Sequence, residues 1–165
     1  GTSKREQIQR DTDQRTGQAR MEVEAGRFQK AIDICKEIYQ KYPQDPAVRS
    51  SYVRTLESIK NNGDRAFDEG DFALAGVVYE ILLRHVSSVT HLNGSCPFDK
   101  DGLTARIKTC KKNLFENGLE QYRCGNLDQA ITIWKGILTF DPGDQEIKGI
   151  VDKATLQLEN LQKIK

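Results

Sequence analysis

The chain predicts an all-α fold, a solenoid of stacked helical hairpins, on three observations. One six-residue phrase, Gly-x-large apolar-x-x-Ala, is written three times: Gly26-Arg27-Phe28-Gln29-Lys30-Ala31, Gly70-Asp71-Phe72-Ala73-Leu74-Ala75 and Gly125-Asn126-Leu127-Asp128-Gln129-Ala130. Each copy closes one stretch of helical periodicity and opens another, as the turn of a helical hairpin does. The composition, 37% hydrophobic and 30% charged, is polar for a compact globule and suits an array with much exposed helix surface.

About seven helices are expected, arranged as hairpins over about 12–45, 46–90 and 101–143 with a capping helix over 144–165. The helical domain then spans 21–165, and 1–20 is a polar linker or frayed helix, because Ile8 is the only sizeable apolar residue between Lys4 and Arg20. Met21 is the only methionine, so the chain reads as part of a longer protein, with Gly1-Thr2-Ser3 as a remnant outside the fold.

In each phrase the glycine ends the first helix in the left-handed conformation that a side chain makes costly. The large apolar residue then wedges between the helices, and the alanine lets them approach. Tyr42-Pro43 and Asp141-Pro142 stop the second helix of the first and third hairpins. Ser87 stands at the matching place in the second hairpin, where the helix is expected to run on. The turn glycines lie 44 and then 55 residues apart. The surplus falls in the first helix of the second and third hairpins. Residues 47–69 contain no breaker but Gly63, and Val48, Tyr52, Leu56, Ile59 and Phe67 sustain the apolar face. Leu103, Ile107, Leu114, Gly118 and Tyr122 do the same to Cys124. These first helices should be about 35 Å long and their partners about 20 Å. Asp99 or Asp101 is placed to cap the helix that begins there. In the closing helix Ile147, Ile150 or Val151, Ala154, Leu158 and Leu161 form one stripe, with Lys148, Asp152, Lys153, Glu159 and Lys163 outward. The same stripe, with Leu156 and Ile164, is also a candidate dimer contact.

These residues resemble the tetratricopeptide repeat. Gly118, Gly125, Leu127, Ala130, Trp134 and Pro142 follow that family's pattern in the third unit, Gly63, Gly70, Phe72, Ala75 and Tyr79 in the second, and Ala19, Gly26, Phe28, Ala31 and Pro43 in the first, where Cys35 replaces the aromatic. The family repeats about every 34 residues, so the longer spacing here departs from its groove geometry. The resemblance implies a scaffold for protein–protein contacts, with a protein or peptide partner held by the first helices of the hairpins. The positions it places on that inner face are Lys60, Asn61, Asp64, Phe67, Lys112, Phe115, Leu119, Tyr122 and Arg123. The aromatic ones are equally suited to ordinary packing between helices. Some members grip a C-terminal carboxylate; the corresponding positions here hold Thr16, Arg20, Asn61, Lys112 and Glu116, and Glu116 would repel such a ligand. The idiom of the last repeat, with Trp134 and a long charged closing helix, looks like bacterial members, many of them secreted or anchored in the cell envelope. An envelope location is therefore expected ahead of a cytoplasmic one.

Other classes are disfavoured on the residues themselves. Lys+Arg 25 against Asp+Glu 24 leaves a net charge of +1, which gives no pull toward nucleic acid, and Asp64 and Glu116 oppose a basic inner face. No run of 18 consecutive apolar residues is present to span a membrane. There is no G-x-S-x-G, Walker loop or H-E-x-x-H, and only two histidines, so no catalytic residues, no cofactor and no enzyme activity are expected. His85, His91, Cys96 and Cys110 match no zinc spacing; a solvated loop is the expectation, and a metal-dependent regulatory domain over 85–110 the alternative. Asn93-Gly94-Ser95 is formally a glycosylation sequon. Cys110 and Cys124, about 21 Å apart by helical rise, cannot bridge, which leaves Cys96 with Cys110 as the one pair a loop would bring together. A homo-oligomerisation module acting through the closing helix is the remaining alternative.

Overall fold

Three glycines punctuate the backbone. Gly26, Gly70 and Gly125 have φ of 79°, 82° and 83°. At each, the next residue's N–H reaches back to the carbonyl five residues earlier: Arg27 to Glu22 (2.8 Å), Asp71 to Ala66 (2.8 Å) and Asn126 to Gln121 (2.9 Å). This closes the helix and satisfies carbonyls that would otherwise be orphaned. An added Cβ would meet nothing within 4 Å at any of the three, so the backbone angle alone demands glycine.

The computed structural model describes residues 2–89, 92 and 96–164. Among these it holds seven helices, α1 (Thr2–Glu24), α2 (Phe28–Lys41), α3 (Pro46–Asp68), α4 (Phe72–Val89), α5 (Lys100–Arg123), α6 (Leu127–Leu138) and α7 (Gln145–Ile164). Every helix packs on the next along the chain, and further contacts join α1 with α3, α2 with α4, and α4 with α6. The result is a sequential array of adjacent helix pairs, as the repeated turn phrase predicts.

The wedge holds in part at side-chain level, since Phe72 and Leu127 are only half-buried. Ala31, Ala75 and Ala130 are fully buried, and Phe28 nearly so. Gly63 lies under Val78 and Tyr79, and Gly118 under the Trp134 indole, whose Nε1 would sit 2.3 Å from an added Cβ. Trp134 donates from Nε1 to the Phe115 carbonyl at 3.1 Å. Cys35, in the place of that aromatic in the first hairpin, is buried, and burial pushes its thiol up to about 11.

The helix ends follow their local chemistry. Asp45 accepts from the Ala47 and Val48 amides (2.8 and 3.3 Å) ahead of Pro46 in the first turn of α3. Asp99 accepts from the Gly102 amide at 2.6 Å and caps α5. Without a proline near Ser87, α4 continues to Val89. By length and composition α4 would also suffice to cross a bilayer, contrary to the reading of the sequence alone. Here it packs between α3 and α5, with Ala75, Val78, Tyr79, Ile81 and Leu82 buried, and this central position accounts for its apolar character.

Of the two expectations for the N-terminal segment, linker or frayed helix, the helix is the one seen. Residues 2–20 are not a linker; they belong to the same continuous helix as 21–24, Thr2 and Ser3 included. The helix docks mainly through polar groups: Asp11 accepts from Lys41 Nζ at 2.9 Å and from the Tyr42 hydroxyl, Arg15 pairs with Glu37, and Thr16 shares a hydrogen bond with Ser51 at 2.9 Å. Only Thr12, Ala19 and Val23 are buried along it. At the other end, Ile147, Val151 and Ala154 of α7 are buried and Leu158 is half-buried, but the stripe outlasts its support: Leu161 is exposed.

Candidate partner-binding face

The first helices of the hairpins, α1, α3 and α5, together with α7, are linked side chain to side chain, and clefts lie between them. The α3–α5 cleft, about 250 Å³, is lined by Lys60, Asp64, Tyr79, Phe98, Leu103 and Arg106 among others. Lys60 and Asp64 are one turn apart and form an ion pair at 2.8 Å. The Tyr79 hydroxyl donates to the same carboxylate at 2.7 Å. Burial pushes Asp64 up, but the bonds from Lys60 and Tyr79 outweigh it and hold the carboxyl below its ordinary value. Tyr79 moves the other way, raised by burial and then by its bond to Asp64. Phe67, one turn further, is consumed by packing. Its ring meets Phe72 edge-on at 5.5 Å, and the Arg106 guanidinium of α5 lies 4.2 Å from its centroid. Asn61 is exposed beside this cluster.

The second cleft, about 290 Å³, lies between α5 and α7 and is lined by Lys108, Lys111, Lys112, Phe115, Glu146 and Ile147 with Asp144. Lys111 bonds Asp141 at 2.8 Å and Asp144 at 2.5 Å, which raises the lysine and lowers Asp144. Lys112 is exposed at the rim. Phe115 stacks on Trp134 with centroids 6.5 Å apart, and Tyr122 lies 5.9 Å from the same indole. The Tyr122 hydroxyl donates to Gln157 of α7 at 3.0 Å, yet 36% of the residue remains exposed. Leu119 is half-buried and Arg123 exposed.

The nine residues expected on one face therefore form two groups. Lys60, Asn61, Asp64 and Phe67 lie on α3, all but Asn61 toward Arg106; Lys112, Phe115, Leu119, Tyr122 and Arg123 lie on α5, where Phe115 and Tyr122 share the Trp134 ring and Lys112 and Tyr122 reach toward α7. Arg106, Lys108 and Glu146 also line these clefts, and none stood out in the sequence. Their role depends on which turn of α5 faces α3 and which faces α7, and no local pattern encodes that. A third cleft between α1 and α3 has a different, hydroxyl-rich lining. A fourth, about 390 Å³, opens among Lys36, Tyr39, Gln40, Tyr52 and Ser88.

Of the residues of the metal alternative, His85 and Cys96 are engaged elsewhere. His85 Nε2 is 3.1 Å from Gln29 Oε1, the Cys96 thiol donates to the Phe98 carbonyl at 3.2 Å, and Cys110 is fully buried. His91 and the sequon at 93–95 lie outside the described residues. Among the described residues no three His, Cys, Asp or Glu side chains are grouped to hold a metal. All four cysteines are free thiols, Cys96 and Cys110 included; burial pushes Cys110 up to about 11, which suppresses the reactive thiolate.

No protein-family model matches this chain, and no curated protein or solved structure does. The molecule is an all-helical domain of seven sequentially packed helices, to which no family is assigned.

Proposed function

We propose that the chain is a protein–protein interaction scaffold of tetratricopeptide type that holds an extended or helical segment of a partner across α3 and α5. The observation that carries this reading is the pair of clefts flanking α5. Each combines an aromatic edge with charged groups at its rim, as shallow peptide sites do. The repeated turn, with a small residue of one helix seated under a large side chain of the next, supports the family likeness; the long first helices set it apart. We assign the chain no catalytic role: burial raises the thiols of Cys35 and Cys110, and the half-buried carboxylates of Asp11, Asp64 and Asp144 are tied to lysine.

Lys112 and Tyr122 are the natural probes, being exposed on the same helix; because Tyr122 also flanks the Trp134 indole, the variant's thermal melt is compared with the wild type's first. Affinity capture from source-cell lysate and membranes, with Lys112→Glu/Tyr122→Ala beside the wild type, is expected to recover a partner with the wild type. The double variant should retain at most about a tenth as much. Equal recovery by a folded variant would contradict the α3–α5 face. The contact would then move to α7, where Leu156, Leu161 and Ile164 are 57%, 52% and 82% exposed and would serve a homo-oligomer.

A further inference from the structure

We propose that the cleft between α1 and α3 is an oxyanion site that takes a phosphoryl group. It measures about 230 Å³ and is lined by Thr16 and Arg20 from α1 and by Ser51, Arg54, Thr55 and Ser58 from α3, with Val23 as its apolar wall. No carboxylate is among the lining residues.

The lining sets this cleft apart from the two that flank α5: those hold Asp64 and Asp99, or Asp144 and Glu146, whereas here two arginines meet no carboxylate. Arg15, Arg27, Lys41, Lys60 and Lys111 each sit on a carboxylate. Arg20 and Arg54 are in no ion pair among the described residues, although two helices bring them to one cleft. Two like charges facing a shared opening with no counter-charge repel one another, and an anion between them relieves that.

The hydroxyl inventory points to the same chemistry. Thr55 Oγ1 donates to the Ser51 carbonyl at 2.9 Å, so its proton is spent. Thr16 and Ser51 lie 2.9 Å apart and share one proton, which leaves the other for a ligand. The Ser58 hydroxyl donates to no group among the described residues and adds a second. A carboxylate is satisfied by one bidentate guanidinium. Two guanidiniums on different helices, with two hydroxyl protons between, match a group with three terminal oxygens and a charge near −2. A continuous nucleic-acid backbone is a poorer fit, because the cleft is short and the chain's net charge is only +1. The phosphoryl group would come from a small phosphorylated compound or from a phosphorylated residue on a partner. The site stands apart from the α3–α5 reading and does not depend on it.

Titration calorimetry at low ionic strength tests the assignment with three probes: inorganic phosphate, a phosphoserine peptide of otherwise neutral sequence, and the same peptide unphosphorylated. The phosphoserine peptide is expected to bind at least about tenfold more tightly than its unphosphorylated twin. Arg20→Gln and Arg54→Gln should each weaken it by about tenfold or more, while Lys153→Gln on the outer side of α7 leaves it unchanged. Inorganic phosphate that binds and is lost in the same two variants, with no gain for the peptide, would assign the site to a small phosphorylated compound. Absence of any preference for phosphate would overturn the proposal. So would unchanged affinity in Arg20→Gln and Arg54→Gln variants whose circular dichroism melts match the wild type, and both arginines are exposed enough to be replaced without unfolding the chain.

Discussion

Trp134→Ala is expected to destabilise the protein by about 3–5 kcal/mol, the largest effect of any single truncation in the array. The indole is 2% exposed, packs between Phe115 and Tyr122, and uses its only polar atom on the Phe115 carbonyl. Truncation therefore leaves a cavity at the α5–α6 junction and strips a hydrogen bond from a carbonyl beneath it. Gly118 supplies the control. In the wild type a Cβ there would lie 2.3–2.7 Å from three indole atoms, so Gly118→Ala should cost about 1–2 kcal/mol despite alanine's better helix propensity. With Trp134 already removed, the same change should stabilise by about 1 kcal/mol, since only the propensity gain survives. Urea denaturation of the four-protein cycle, followed by circular dichroism, reads the sign change directly. A Gly118→Ala substitution that behaves alike in both backgrounds would mean that the indole does not rest on α5.

Gly76→Val is expected to cost about 2–3 kcal/mol, although it replaces a glycine inside a helix. An added Cβ meets the Phe140 ring at 2.5 Å for two carbons and 2.8 Å for a third. Phe140 is 5% exposed and lies in the turn between α6 and α7. The ring has to leave α4, and the connection that seats α7 moves with it. Gly76→Ala should be less damaging, and adding Phe140→Leu should recover stability by making room. Thermal melts of the three variants test this. A Gly76→Ala protein more stable than the wild type would show that Phe140 does not reach α4.

These two sites differ in how far the sequence foretold them. Gly118 and Trp134 belong to a recurring phrase within one hairpin, where a small residue and an aromatic sixteen residues on are bound to meet. The same local grammar located α3 at 46–68 against an expected 47–69, the run-on of α4 past Ser87, and the Asp99 cap. Gly76 and Phe140 lie in different hairpins, and their contact is set by how the hairpins stack. Nothing near either residue announces it. The N-terminal helix was expected only as a frayed one, or as a linker, for a related reason. It docks by ion pairs and hydroxyls rather than an apolar stripe, and hydrophobic periodicity is blind to such an interface. On the candidate face, the Lys60–Asp64 pair was legible as a one-turn spacing on a helix. Phe67 lies on α3, as the apolar spacing expects, but the guanidinium that covers it comes from α5. The α1–α3 cleft needs Arg20 and Arg54 in register across two helices, which no single-helix pattern conveys.

The central claim is that a partner lies across α3 and α5, and hydrogen–deuterium exchange of the complex with the captured partner tests it most directly. The predicted result is slowed exchange in residues 60–67 and 112–123 relative to the free protein, with α2 and α4 unchanged. Protection confined to the last turns of α7, or to the cleft among α2, α3 and α4 around Tyr39 and Tyr52, would contradict it.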